Sequence, residues 1–557
     1  MQMTDHFKAL EGHVAGLRGV VRSGMLRSIT LGGLVQAVRT LAVGDLEPSN
    51  IFKILAEILR EKPAIVTDAE RLTYRDLEQR IQGIAGGLQS RGLARGDKIV
   101  LMLHNSPRFV EAYNAAIRAG AAAVTASYHL RGEELAYIVN NSEARAIVYD
   151  DSCGAAVEEA LEHLVLPPSE LLRVPIGRPP GEGETAYEAL NRPDAFRRVP
   201  KSERQGTTIV YTSGTTGNPK GAVRNMSNLG VSLLGKLLSA IPIARDDIHL
   251  VTCPLYHSLG SAFAMVHFAV GATMVMLPEF EAEAAFRAIE RHRVTSLVMV
   301  PTMLRRLVDF PLERAKRFDT SSLRLIVSGA SHLPQELRER IIGRFGPVLY
   351  DMYGATETGI VSVANSSDML LKPGTIGKPF WGNAVRILDD HGRELPPNMP
   401  GELYIKNDQT IEGYYRNPNA TTKSQRDGFF SVGDIARQDD DGYLFLEDRK
   451  IDMVITGGVN VYPKEVEDVL LRHPEVKDAA VLGVPDEQWG ERLIAVIVPR
   501  GGVGDPAELT GYCREKMARF KVPKSFYFVE ELPKGNTGKV LKRRLRERYG
   551  ELEPPGR

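Results

Sequence analysis

The sequence predicts an α/β fold: a large N-terminal domain of layered β-sheets covered by helices, followed by a small α+β C-terminal domain. Three observations carry this expectation. From Ile51 onward short β-rich runs alternate with amphipathic helical stretches. The Asp439-Asp-Asp-Gly442 turn signal separates Ile435-Ala436 from Tyr443-Leu-Phe445, and a further hundred or so residues follow it, about the size of a small domain. The total length of 557 residues suits two or more domains.

The elements follow in chain order. Residues 1–50 are expected to form a helical extension, because Met25 to Ala42 spaces Leu, Ile and Val with Arg27 and Arg39 as an amphipathic helix does. Such a helix packs on the main domain or a partner, or else lies peripherally on a membrane surface. Residues 51–449 then hold β-runs at Lys98 to Leu103, Ala146 to Tyr149, Thr207 to Tyr211, Ala272 to Leu277, Ser296 to Val300 and Leu323 to Val327. Helix candidates between them include Pro107 to Ala119, Glu281 to His292 and Pro334 to Phe345. A boundary is expected near Arg449 to Asp452, leaving 450–557 with helices over Pro463 to Arg472 and over the basic stretch Lys539 to Tyr549.

Composition excludes several function classes. Equal counts of 70 basic and 70 acidic residues leave no net field that would favour nucleic acid, so any polyanion must be captured locally. Cys153, Cys253 and Cys513 lie far apart without metal-ligand spacing, as expected of reduced thiols in a cytoplasmic protein. Neither a signal peptide nor an 18-residue uncharged apolar span is evident, so a soluble chain is expected, with membrane contact at most peripheral. A homodimer is compatible with these bulk properties.

The stretch Tyr211-Thr-Ser-Gly-Thr-Thr-Gly-Asn-Pro-Lys-Gly221 carries the most chemistry. A β-run empties into hydroxyls (Thr212, Ser213, Thr215, Thr216), glycines (Gly214, Gly217) and Lys220. Backbone N–H groups at glycines approach anions closely, hydroxyls donate, and lysine adds a compact charge, so a polyphosphate is the natural guest. The spacing fails the Walker pattern, in which Gly-Lys is followed by Ser or Thr; here Pro219 precedes Lys220 and Gly221-Ala222 follows it.

Four later segments extend the pattern: Tyr353-Gly-Ala-Thr-Glu-Thr358, Ser431-Val-Gly-Asp-Ile435, Asp448-Arg-Lys-Ile-Asp-Met-Val-Ile-Thr-Gly-Gly-Val-Asn-Val-Tyr-Pro463 and Pro533-Lys-Gly-Asn-Thr-Gly-Lys-Val540. Together and in this order they resemble the adenylate-forming superfamily of acyl-CoA synthetases, peptide-synthetase adenylation domains and beetle luciferases, over roughly Pro48 to Tyr549. The resemblance implies ATP, Mg²⁺ and coenzyme A, and a C-terminal domain that rotates between two half-reactions. It implies that the Thr212 to Lys220 loop contacts the β- and γ-phosphates, Thr356 the α-phosphate, and that Mg²⁺ is held by Glu357 with Thr212. Tyr353 would lie on one face of adenine with Gly329, Ala330 and Gly354 around it, Asp351 would accept from the adenine amino group, and Asp434 and Arg449 would reach the ribose. Lys539, expected at the start of the last helix, would bridge the carboxylate and α-phosphate, and His257 would stand at the mouth of the acid pocket. Gly457 and Gly458 would line the path of the pantetheine arm. The hinge position that many relatives fill with Asp or Lys is Ile451 here, flanked by Lys450 and Asp452.

The implied acid pocket, from Met226 to Leu238, His257 to Phe263, Met299 to Leu304 and around Gly329 and Gly354, is mostly apolar and offers no acidic residue for an amino group. A fatty or other hydrophobic carboxylic acid is therefore expected, and an aromatic or steroid-type acid would fill similar walls. An acyl-CoA ligase of fatty-acid metabolism is the leading reading. Alternatives are an acyl-AMP ligase that loads a separate carrier protein, a luciferase-like oxidase, and a catalytically silent nucleotide-binding protein.

Overall fold

The computed structural model describes residues 16–25, 51–199, 208–212, 220–224, 231–411, 413, 418–456, 459–486, 489–501, 504–535 and 539–550. Three sheets organise them. The first runs in the order Leu172–Ile176, Ala144–Asp150, Lys98–Met102, Ala122–Thr125, Thr208–Thr212, with Lys220–Arg224 antiparallel at the edge of an otherwise parallel set. The second has a parallel core of Pro63–Val66, Thr273–Met276, Ile248–Val251, Ser296–Met299, Leu325–Ser328 and Leu349–Ala355. It continues antiparallel through Gly359–Asn365 and Thr375–Pro379 into Leu444–Arg449, Asp434–Gln438 and Gly401–Lys406.

The parallel strands are buried on both faces, which is why they read as nearly continuous apolar runs such as Thr-Met-Val-Met276 and Leu-Ile-Val-Ser328. Helices cover them and begin where the sequence supplies caps. Thr73 and Asp76 form a reciprocal capping box at the helix Tyr74–Ser90. Ser106 accepts from the Phe109 N–H ahead of Pro107 at the first turn of Pro107–Arg118.

The third sheet is built entirely from residues after Asp452: Val454–Thr456, Val459–Val461, Val476–Asp486, Gly490–Pro499 and Ser525–Phe528. It has its own cores on its two faces, one around Val466, Val481 and Leu493 and one around Leu482, Val496 and Leu545. Between the strand ending at Arg449 and the one starting at Val454 the chain makes a turn, with the Asp452 and Met453 N–H groups donating to the Arg449 carbonyl. Ile451 is exposed there.

One expectation changes. The last helix runs Lys542–Tyr549, so Lys539 lies ahead of it in an extended segment bridged to Lys534. The Gly535 N–H donates to the Lys539 carbonyl and Leu541 N–H to the Pro533 carbonyl, pairings that hold the segment extended where a helix would need different partners. At the other end the described helix covers residues 16–22 and ends at Gly24, whose φ is 73°. Of the segment Met25 to Ala42, residues 26–42 fall outside the described residues. Among the described residues no helix is long and apolar enough to cross a membrane, and all three cysteines are free and buried.

Candidate active site

A cavity of about 1330 Å³ opens at the C-terminal ends of the parallel strands, where such sheets present their crevices, and the small domain closes over it. Of the residues singled out in the sequence, His257, Ala330, Asp351, Tyr353, Gly354, Thr356, Glu357, Asp434, Arg449 and Lys539 line this one space.

Register explains the convergence. Asp434 and Arg449 are partners across an antiparallel pair, so their side chains meet, with Arg449 Nε 3.4 Å from Asp434 Oδ1. The Tyr353 hydroxyl donates to Asp434 Oδ2 at 2.6 Å. That leaves the Asp434 carboxylate fixed in orientation but with lone pairs to spare. Burial, and then the Asp434 charge, pushes the Tyr353 phenol far above its ordinary pKa.

Thr356 and Glu357 sit in the tight turn between Leu349–Ala355 and Gly359–Asn365. The turn requires glycine at 354, where a Cβ would press against the Gly359 carbonyl oxygen. Thr356 Oγ1 is 3.0 Å from Ser258 Oγ, and the Ile411 N–H donates to the Glu357 carbonyl. His257 holds the N-cap position of the helix Ser258–Val270, its ring 4.3 Å from that of Tyr256.

Gly329 stands behind the wall. A Cβ there would come within 3.2 Å of the Met352 carbonyl oxygen and 3.3 Å of Leu259. Ala330 adopts φ 69°, a left-handed conformation that costs a non-glycine residue roughly 1–2 kcal/mol. The strained turn delivers Ala330, Ser331 and His332 to the cavity.

Lys539 is exposed into the cavity while protein encloses it on its other sides. Burial and the Arg449 guanidinium lower its pKa, and the carboxylates of Asp434 and Glu357 oppose that shift. A lysine of the small domain thus shares one electrostatic environment with three charged groups of the large one.

Several contributors were not legible in the sequence. Arg338, fully buried, donates to Asp351 Oδ2 at 2.7 Å and to the Thr375 carbonyl at 2.7 Å, so one oxygen of Asp351 is already engaged. Burial raises the Asp351 pKa against the pull of Arg338. Across the domain junction His332 Nε2 lies 3.0 Å from Asp468 Oδ1, on the helix Pro463–Leu470. The same helix is tied down at its N-terminus, where Asp448 Oδ2 accepts from the Lys464 N–H at 2.9 Å and complements the helix dipole. Lys464 Nζ donates to the Leu446 carbonyl, and Arg546 to Asp452 at 2.8 Å.

The apolar lobe is also larger than expected. Along the helix Ser258–Val270 the lining continues from Leu259, Ala262 and Phe263 to Met265, Val266 and Ala269, about 16 Å of helix from Ser258 to Ala269. The signal was present as the three-to-four residue spacing that continues beyond Phe263. Leu233, Leu234 and Leu237 line the same cavity.

For the remaining candidates, Thr212 and Lys220 are backbone partners across a hairpin at the C-terminal end of Thr208–Thr212, a strand that is parallel to Ala122–Thr125. Ser213, Gly214, Thr215, Thr216, Gly217, Gly457 and Gly458 lie outside the described residues, as do the side chains of Thr212 and Lys220. Among the described residues no three His, Cys, Asp or Glu side chains gather as a metal site. Mg²⁺ asks for one or two carboxylates beside phosphate oxygens and water, so Glu357 in this turn fits that ion.

The family model for AMP-binding enzymes matches residues 54–415, and that for their C-terminal domain matches 465–539. The chain belongs to the AMP-binding enzyme family. This AMP-binding enzyme is accordingly an AMP-forming acid–thiol ligase of the adenylate-forming superfamily. It is 35% identical over 484 residues to a feruloyl-CoA synthase of Amycolatopsis sp, covering 86% of this chain and 94% of that protein. It is 32% identical over 507 residues to a 2-succinylbenzoate–CoA ligase of Bacillus cereus (strain AH820), covering 90% and 99%. Among solved structures, the anthranilate CoA ligase AuaEII in complex with anthranoyl-AMP superposes with a TM-score of 0.83 at 26% identity, covering 90% of this chain and 97% of that one. The amide bond synthetase McbA from Marinactinospora thermotolerans gives 0.80 at 27% identity, covering 90% and 100%.

Proposed function

We propose that this AMP-binding enzyme activates an apolar carboxylic acid with ATP and transfers the acyl group to coenzyme A. The observation that carries the reading is the meeting of Lys539 with Asp434, Glu357 and Arg449 in a cavity that continues into an apolar lobe. In the first half-reaction a carboxylate oxygen attacks the α-phosphorus and the bond to pyrophosphate breaks. Lys539 offsets the negative charge that develops there without transferring a proton, and the Thr356 hydroxyl donates to the α-phosphate. Asp434, held by Tyr353 and Arg449, accepts from the ribose hydroxyls, while the Tyr353 ring, Ala330 and Gly354 flank adenine, with Gly329 behind them, and Asp351 meets its amino group. The Thr212 to Lys220 hairpin holds the departing pyrophosphate. Mg²⁺ bound by Glu357 and Thr212 would supply neutralising charge on the phosphates.

In the second half-reaction the thiol gives up its proton to solvent as its sulfur attacks the acyl carbonyl carbon, the bond to AMP breaks, and Gly457 and Gly458 give the pantetheine arm passage. Residues 51–449 act as the adenylating body and 450–557 as a domain that rotates about Lys450 to Asp452. His257 lies at the junction of the apolar lobe and the charged end, suited to orienting the carboxylate. Three relatives named above carry aromatic acids in their names, which supports an aromatic acid ahead of a plain fatty acid, and the apolar lining that follows the helix Ser258–Val270 as far as Ala269 supports a long apolar substituent on it. The test is pyrophosphate release from MgATP over a panel of benzoic, cinnamic and fatty acids, with acyl-CoA followed by mass. Turnover that depends on CoA is expected. Release that stops at one enzyme equivalent would instead assign a carrier protein as acceptor.

A further inference from the structure

Residues 16–25 precede the family match, which begins at residue 54, yet they pack on the large domain and bring Met25 into the lining of the cavity. The helix 16–22 meets the helix Val231–Ala240 backbone to backbone. A Cβ on Gly235 would stand 2.7 Å from the Gly16 carbonyl oxygen, and one on Gly19 would stand 2.6 Å from the Ser239 nitrogen. Only glycines permit this approach. Polar ties flank it: Arg22 donates to the Leu238 carbonyl at 3.2 Å and the Arg245 N–H to the Ser23 carbonyl at 2.8 Å. Val20 packs on the apolar cluster that includes Leu237, Leu259 and Phe263. After Gly24 turns the chain, Met25 joins the cavity lining, together with Ile51 and Ile54.

We propose that residues 16–25 form a wall of the acid pocket and that Met25 is a specificity-determining residue limiting the length of the apolar acid. The inference rests on the ligase reading above. Leu233, Leu234 and Leu237 belong to the helix that the glycine contact positions, so the N-terminal helix fixes one side of the lobe as well as contributing Met25 to it. An unbranched thioether adapts its shape to the end of a substrate, while a larger or smaller side chain changes the available depth.

The test is a series of 4-alkylbenzoic acids of increasing alkyl length, assayed with the full-length wild type, Met25→Ala, Met25→Trp and Gly19→Val. Two readouts run in parallel: kcat/KM for pyrophosphate release, and binding of the same acids by calorimetry. Met25→Trp is expected to move the preferred acid to shorter chains and Met25→Ala to longer ones, with roughly tenfold changes in the long-to-short ratio per displaced methylene. Gly19→Val, which cannot keep the close approach, is expected to flatten the length profile. Identical profiles in wild type and both Met25 variants would overturn the inference while leaving the ligase reading intact. A wild type that binds the acids without releasing pyrophosphate would overturn the ligase reading, and the calorimetric profile would still judge Met25. Failure of the wild type to bind any of the acids would overturn both.

Discussion

His332→Ala should slow adenylation selectively. His332 comes from the strained turn after Leu325–Ser328 in the large domain, and its partner Asp468 from the helix Pro463–Leu470 in the small one. Their 3.0 Å contact ties the two domains together in the orientation that places Lys539 in the cavity, and a rotation of the small domain is expected to break it. Asp468 accepts from Nε2, which fixes the tautomer, and the buried Nδ1 has no partner among the described residues. A hydrogen bond to a charged group is worth about 1.5–3 kcal/mol, and partial exposure of both side chains, 22% and 28%, favours the lower end. A loss of about 1.4 kcal/mol shifts the orientation equilibrium about tenfold. Carboxylate-dependent pyrophosphate release should therefore fall by up to about tenfold, and thioester formation from preformed acyl-AMP should not fall. His332→Gln, which keeps an N–H donor, should recover part of the loss. The pH dependence has a definite sign. Burial, then the Lys464 charge, lowers the His332 pKa to about 4, so the neutral form is the one that stabilises this orientation. A lowered folded pKa gives a contribution that is complete above the ordinary value near 6.5 and is lost as pH falls through about 4. Adenylation relative to thioester formation should decline in that window in the wild type and less steeply in His332→Ala. Equal slowing of both half-reactions, or no change in a variant folded like the wild type, would refute the reasoning.

Two further outcomes follow from the buried charges. Arg338→Leu removes both hydrogen bonds of a fully buried guanidinium and strands the Asp351 carboxylate; an unpaired buried charge costs about 3–5 kcal/mol, to be read as a lower denaturation midpoint, and Arg338→Leu combined with Asp351→Leu should recover much of it. Tyr353→Phe removes the 2.6 Å donor that orients Asp434, and should raise KM for ATP by roughly tenfold with little change in stability, checked by initial rates and thermal unfolding.

The parts of the fold visible in sequence were those set by local pattern. Ser296–Met299, Thr273–Met276 and Pro107–Arg118 fall within a residue or two of their expected bounds, because buried parallel strands are continuous apolar runs and capped helices announce their starts. The Asp439 to Gly442 turn joins Asp434–Gln438 to Leu444–Arg449 as a hairpin for the same reason. Local pattern misjudged Lys539, since a basic run after it resembles helix while the backbone pairing to Pro533 and Gly535 decides otherwise. The residues that lock the site, Arg338 with Asp351 and His332 with Asp468, were invisible because each pair is a tertiary meeting between elements. Taken alone, Arg338 and Asp468 look like solvated residues of helix surfaces. The wall contributed by Met25 was missed because no periodicity links residue 25 to residue 237.

The most direct test of the account is carboxylate-dependent ATP–pyrophosphate exchange in wild type and Lys539→Ala, beside ATP binding and CoA-dependent conversion of preformed acyl-AMP. The account predicts exchange in the wild type, its loss in Lys539→Ala, and retention of the other two activities. Exchange that survives in Lys539→Ala, or loss of all three together, would contradict the claim that this lysine enters the cavity for the first half-reaction alone.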